Sequence, residues 1–194
     1  MNTPAHLIFA AAAFARPHER RRTIAALAGA LAPDFSLYLM AGFALFVMQL
    51  SPSYVFDTLY LSDGWQMVFK VDNSFILWGG GLALAWWFQS STAMVFAAAG
   101  LLHLAFDFPL HHDDGRAHFW PLSDWVFRSP LSYWDNRHYG GIIGPIEILI
   151  SFAFCVLLFF RFDSLRSRAL ICMAALMQLS PVFIWAYVFA LGST

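Results

Sequence analysis

The stretch Ala97-Ala98-Ala99-Gly100-Leu101-Leu102-His103-Leu104-Ala105-Phe106-Asp107-Phe108-Pro109 decides how this chain is read. It is apolar enough to sit in lipid, yet it carries an imidazole and a carboxylate one helical turn apart. An ionisable side chain at the bilayer centre costs about 2.5–3.5 kcal/mol even on the lenient insertion scale. Such groups are therefore paired, metal-bound or turned toward a wet cavity. Two further segments carry the same signature, with Asp34 inside one long apolar run and His6 at the head of another.

The rest of the chain fits that reading. Of its 194 residues, 60% are hydrophobic and 12% charged, against about 25% charged in a soluble domain. The expected class is an all-α, polytopic transmembrane helical bundle of five or six spans, forming a single membrane-embedded domain over residues 1–194. A net charge of −1 argues against any large nucleic-acid surface. Cys155 and Cys172 lie in apolar segments without CxxC spacing and read as small buried hydrophobes. The arginines near the N-terminus follow the first apolar run, the reverse of a secretory signal, so that run reads as a retained helix. Gly79-Gly80-Gly81 lacks the Lys-Ser/Thr of a phosphate-binding loop.

Six apolar segments follow in order: 6–14, 23–50, 75–88, 92–110, 142–160 and 170–191. Residues 51–74 mix aromatic and polar side chains, as an interfacial segment does. Residues 111–141 form a polar loop rich in Trp and Tyr, the pattern of an interfacial anchor, a lid over a site or a guide for a lipid headgroup. Four arginines in 16–22 and three in 161–168 mark two cytoplasmic loops. Alternation then places both termini and the 111–141 loop outside, in what reads as a bacterial inner membrane with its site facing the periplasm.

Depth provides a cross-check. His6 lies ten residues from Arg16, Asp34 eleven from Thr23, and His103 eleven from Thr92. At about 1.5 Å of rise per residue, all three fall roughly 15–17 Å above the cytoplasmic boundary, near mid-bilayer. Asp107 shares the face of His103 one turn higher, and Glu147 falls at a similar level.

A metal would hold these groups together. His103 and Asp107 at i, i+4 can ligate one ion through an imidazole nitrogen and a carboxylate oxygen. His6 and Asp34 would complete a mixed nitrogen and oxygen set suited to a divalent metal, zinc first, with manganese or iron as alternatives. His111-His112-Asp113-Asp114, with His118 beyond, offers further ligands or is simply a solvated loop end. Other readings stay open: His103 with Asp107 as a structural pair, Asp34 as a bridge between helices, Glu147 as counter-charge to an arginine, or the whole set as a proton relay.

At Thr3-Pro4-Ala5-His6, Gly29-Ala30-Leu31-Ala32-Pro33-Asp34 and Gly100-Leu101-Leu102-His103-Leu104-Ala105-Phe106-Asp107 the chain resembles the YdjM-like family of membrane-bound, metal-dependent hydrolases. Phe119-Trp120-Pro121-Leu122 looks like that family's Trp-Pro element. The resemblance covers roughly residues 1–125, and the family in turn looks like zinc-dependent phospholipase C. It implies His6, Asp34, His103 and Asp107 as metal ligands. One departure stands out. The family's His-Arg and Thr-His-Ser element is replaced here by Phe69-Lys70-Val71-Asp72-Asn73-Ser74-Phe75, where Asp72 offers an oxygen ligand and Lys70 a cation.

Two functions are therefore expected from different classes. The first is a metal-dependent hydrolase acting on a phosphoester, such as a lipid-derived one, with His6, Asp34, His103, Asp107, His111 and His112 as the ligand pool. In it, Asp72 or Asp113 takes the proton from the attacking water. The second is a non-catalytic accessory subunit of a larger membrane complex, or a homo-oligomer, in which the same cluster is structural. Membrane lipid is the expected partner in the first case.

Overall fold

The computed structural model describes residues 1–180, and its regular structure is entirely helical. In chain order the helices are α1 (Thr3–Phe14), α2 (Arg20–Gly42), α3 (Pro52–Tyr54), α4 (Asp63–Asp72), α5 (Phe75–Trp87), α6 (Ser91–Asp107), α7 (Gly140–Arg161) and α8 (Leu165–Met177). A π-helical turn, Phe43–Val47, lengthens α2, and a 3-10 turn, Phe108–Leu110, lengthens α6.

Among the described residues, three helical stretches are long and apolar enough to cross a membrane: Arg20–Val47, Ser91–Leu110 and Gly140–Arg161. These mark the protein as membrane-associated. The sequence reading also counted α1 and α5 as spans. With 12 and 13 residues, they rise only about 18–20 Å, against a hydrocarbon core of about 30 Å. The segment expected at 170–191 lies partly outside the described residues, and its first part is α8.

Helix boundaries follow local chemistry. Ser74, Ser90 and Ser164 cap α5, α6 and α8, each hydroxyl accepting a backbone N–H from three residues on. The arginines read as cytoplasmic markers also satisfy orphan carbonyls at helix C-termini. Arg22 donates to the Phe14 carbonyl at 2.8 Å, and Arg161 donates to the Ala12 carbonyl at 2.6 Å. Both close the lower end of α1.

Small residues set the closest approach in the bundle. α2 buries Ala25, Ala26, Gly29, Ala30 and Pro33 against a face of α6 that buries Val95, Ala99, Gly100 and His103. A Cβ on Gly29 would stand 2.1 Å from the Phe96 carbonyl oxygen, so only glycine lets these backbones meet. Gly100 receives the Trp78 ring of α5 in the same way, with a Cβ there 2.4 Å from ring carbons. On the far side, Phe9 of α1 packs edge-on against Phe106 of α6 and Phe154 of α7, both at 5.0 Å between centroids. α1 is thereby held between α2, α6 and α7, with His6 pointing into the middle.

The 111–139 loop folds back over the upper end of α6. Ser129 and Tyr133 return their backbone N–H groups to the His111 and Leu110 carbonyls at 3.1 and 3.2 Å. Phe75 donates its N–H to the His118 carbonyl at 2.8 Å, tying the loop to the start of α5.

Candidate metal centre

Pro33 lies inside α2 and lacks the N–H that would bond the Gly29 carbonyl, so the helical ladder is open at this level. One residue along, the Ala30 carbonyl accepts a hydrogen bond from His103 Nδ1 at 2.7 Å. That contact fixes the imidazole orientation and leaves Nε2 facing the bundle interior. Nε2 meets Asp107 Oδ2 at 3.0 Å and Asp34 Oδ1 at 3.6 Å. Neither contact has the alignment of a hydrogen bond, and Nε2 is buried without a hydrogen-bond partner.

α1 brings the second imidazole. His6 stacks on His103 with centroids 3.6 Å apart and planes 12° from parallel. Its Nε2 lies 2.9 Å from Asp107 Oδ1, while its Nδ1 is buried and unpaired. His6, His103 and Asp107 each present one ligand atom, all within 4.8 Å of one another. For zinc bound tetrahedrally at about 2.0–2.1 Å, neighbouring ligand atoms lie about 3.3 Å apart. His6 Nε2 lies 2.9 Å from Asp107 Oδ1, His103 Nε2 lies 3.0 Å from Asp107 Oδ2, and Asp34 Oδ1 lies 3.6 Å from His103 Nε2, so the groups are close to that spacing but engage different oxygens. The donor set suits a divalent cation, and the near-parallel imidazole stack would have to splay for both nitrogens to aim a lone pair at one ion.

Asp34 is held from above by the Thr3 hydroxyl, which Tyr38 meets in turn at 2.6 Å. His111 approaches from the loop, with Nε2 3.4 Å from Asp107 Oδ1 and Nδ1 2.9 Å from Asp114 Oδ2. Burial depresses the His111 pKa, but the neighbouring carboxylates, Asp107 above all, outweigh it and leave the imidazole above its ordinary value. Burial raises Asp114, and the His111 contact reverses this and holds the carboxyl below its usual range.

A cavity of about 160 Å³ opens above the cluster. Asp34, Asp107, His111, Asp114, Arg116 and His118 contribute to its wall, together with Tyr38, Tyr60, Phe69 and Tyr133. His118 also lines the cavity, donating from Nδ1 to the Asn73 carbonyl at 2.8 Å. Burial lowers its pKa to about 4, so it is neutral at ordinary pH.

No protein-family model, curated protein or solved structure matches the chain. The site is therefore read from its own atoms. Of the residues singled out in the sequence, His6, Asp34, His103, Asp107 and His111 converge. Asp72, Asp113, His112 and Glu147 do not join them. Asp72 lies off the cavity wall beside Ser36, and burial pushes its carboxyl up. Asp113 is exposed, 3.5 Å from His112 Nε2 and 3.9 Å from Arg137. His112 points away from the cluster toward the Ser129 carbonyl and stacks on His138 at 3.6 Å. Glu147, placed at similar depth by the sequence, instead accepts from the Asn2 side chain and from Gln178, both at 2.9 Å.

Two contributors escaped the sequence reading. The Met1 amine donates to Asp107 Oδ1, a group that no side-chain pattern announces. Arg116 stands on the cavity wall, and its signal was available: one cation following His-His-Asp-Asp-Gly, amid aromatic residues.

Proposed function

We propose that this protein is an integral membrane hydrolase of the YdjM-like kind. In this reading it acts on a phosphoester at the outer face of a bacterial inner membrane, with zinc as its metal. The observation that carries the reading is His103. Its Nδ1 is committed to the Ala30 carbonyl, and its Nε2 faces two carboxylates at 3.0 and 3.6 Å without hydrogen-bond alignment. A lone pair aimed at two carboxylates calls for a cation between them.

His6, His103 and Asp107 would hold the ion, with Asp34 at its open side. A metal held there would supply a water acidified toward neutral pH and would polarise a phosphoryl oxygen. His111, braced by Asp114 and beside Asp107, is placed to receive the water's proton once metal binding has displaced its own. It thereby takes the role that the sequence had suggested for Asp72 or Asp113. A lipid phosphoester suits a cavity that borders Tyr38 and Leu37 on the membrane-crossing helix α2. Five or six membrane segments, with α1 and α5 as partial ones, remain part of this proposal.

The Met1 amine favours a second reading. An ammonium on Asp107, with His103 as an imidazolium, would neutralise the cluster without any metal. The protein would then be a non-catalytic subunit of a larger membrane complex. Metal content of the detergent-purified protein, measured by plasma mass spectrometry beside His103→Ala, separates the two. Stoichiometric metal lost in the variant, followed by cleavage of phospholipids in phosphorus NMR, supports the hydrolase. A folded wild-type protein that takes up no metal after reconstitution leaves the accessory subunit.

A further inference from the structure

Arg116 has an unusual environment for a cation on a cavity wall. Its guanidinium carbon lies 4.3 Å from the Phe69 ring centroid and 4.9 Å from that of Tyr60. Nη2 donates to the Tyr60 hydroxyl at 2.5 Å. These contacts fix the plane of the guanidinium and its orientation. Three carboxylates share the wall, yet among the described residues none comes within 4.0 Å of Arg116. The other two arginines in this loop behave differently: Arg128 is exposed and off the cavity wall, and Arg137 is spent on Asp135 through paired contacts at 3.1 and 3.0 Å. Arg116 is held in place, and its remaining N–H groups have no hydrogen-bond partner among the described residues.

Charge on the wall completes the argument. With histidines neutral, the wall's charged side chains are Arg116 and the carboxylates Asp34, Asp107 and Asp114. The cavity is net negative as it stands, and a divalent ion together with Arg116 would balance the three carboxylates and remove the repulsion of an anion. An anion is then welcome, and the fixed fork of an arginine matches the oxygens of a phosphoryl group.

We infer that Arg116 is the phosphoryl-recognition residue of this cavity, binding the non-bridging oxygens of a phosphate ester opposite the His6, His103 and Asp107 cluster. The inference rests on the proposed hydrolase reading for its second, metal-side contact. Arg116 itself touches the ligand and not the metal, so its loss leaves metal content unchanged.

The test is titration calorimetry of the purified full chain, zinc-loaded and chelator-stripped, with two probes: inorganic phosphate and dihexanoyl phosphatidate. Wild type is compared with Arg116→Gln and Arg116→Lys, with zinc content and melting temperature recorded for each. The expected result is at least tenfold weaker binding of both probes in Arg116→Gln, an intermediate value in Arg116→Lys, and unchanged zinc. Tighter binding of phosphatidate assigns the ligand to lipid, and equal binding assigns it to a soluble phosphate ester; both support Arg116. Equal affinity in wild type and in either folded variant overturns the inference while leaving the metal centre standing. A wild type that holds no zinc sinks the hydrolase separately. In that event Arg116-dependent phosphate binding by the metal-free chain keeps the anion site, and its absence removes it.

Discussion

Two stacked histidine pairs occur in this protein with nearly the same geometry and opposite surroundings. His6 and His103 lie 3.6 Å apart and 12° from parallel; His112 and His138 lie 3.6 Å apart and 18° from parallel. The inner pair is 1% and 0% exposed, between helices. The outer pair is 26% exposed at both rings, on the loop. Outside, the Asp135 carboxylate is satisfied by Arg137 and His138, which hold it well below its usual range. Inside, Asp107 faces two imidazoles, a third from the loop and the Met1 amine, with no arginine or lysine beside it. Ring stacking therefore does not identify a metal site. What distinguishes the inner pair is buried nitrogen with no partner, where water cannot supply one.

The sharpest way to break this contrast is to truncate one ring of each pair. His103→Ala should lower metal affinity by about 100-fold or more, since even loss of a supporting group outside the ligand set costs about 10–100-fold. His112→Ala should leave metal content unchanged, and equal loss in both would erase the distinction. Next in size is Gly29→Ala, which forces α2 away from the Phe96 carbonyl and costs about 1–3 kcal/mol, as overpacking does. Detergent thermal melts should show it, together with reduced metal retention, because α2 carries both Ala30 and Asp34.

A short N-terminal extension probes the charge on Asp107. Converting the Met1 ammonium to an amide should destabilise the metal-free protein more than the loaded one, widening the gap between their melting temperatures. A smaller effect comes from His118, whose pKa is lowered from 6.5 to about 4. The folded state binds fewer protons there than the unfolded chain, so this contribution is present above pH 6.5 and lost as pH falls toward 4. His118→Gln should melt with a flatter pH dependence over that window. Smallest of all, Arg137→Ala in the outer cluster should leave metal content and inner-site stability where they were.

Much of the inner site was legible because helical spacing and depth are both linear in sequence. His103 with Asp107 follows from i, i+4, and the level of His6 and Asp34 follows from counting upward from the arginines. Glu147 shows the limit of that arithmetic: depth gives height but not azimuth, and its helix turns it toward Asn2 and Gln178. Asp72 shows the same limit, since α4 turns it toward Ser36 and off the cavity wall, which His118 reaches from a distant loop. α1 and α5 follow the apolar runs in the sequence, but an apolar run marks a buried helix and a membrane span alike, so their run lengths alone do not make them spans. The Met1 amine carried no signal, and Arg116 needed Tyr60 and Phe69 in place before its isolation from the carboxylates could be seen.

The contact between His6 and Asp107 joins residues 101 positions apart. Chains grow at about 5–20 residues per second, so His6 would wait roughly 5–20 s for its partners to be made. During that interval the first imidazole is in place without the second or the carboxylate. The proposed metal could be captured only after α6 has been synthesised and packed on α2 at Gly29. Loading of this centre would thus be a late event in biogenesis, timed by the arrival of a helix and not by the supply of the ion.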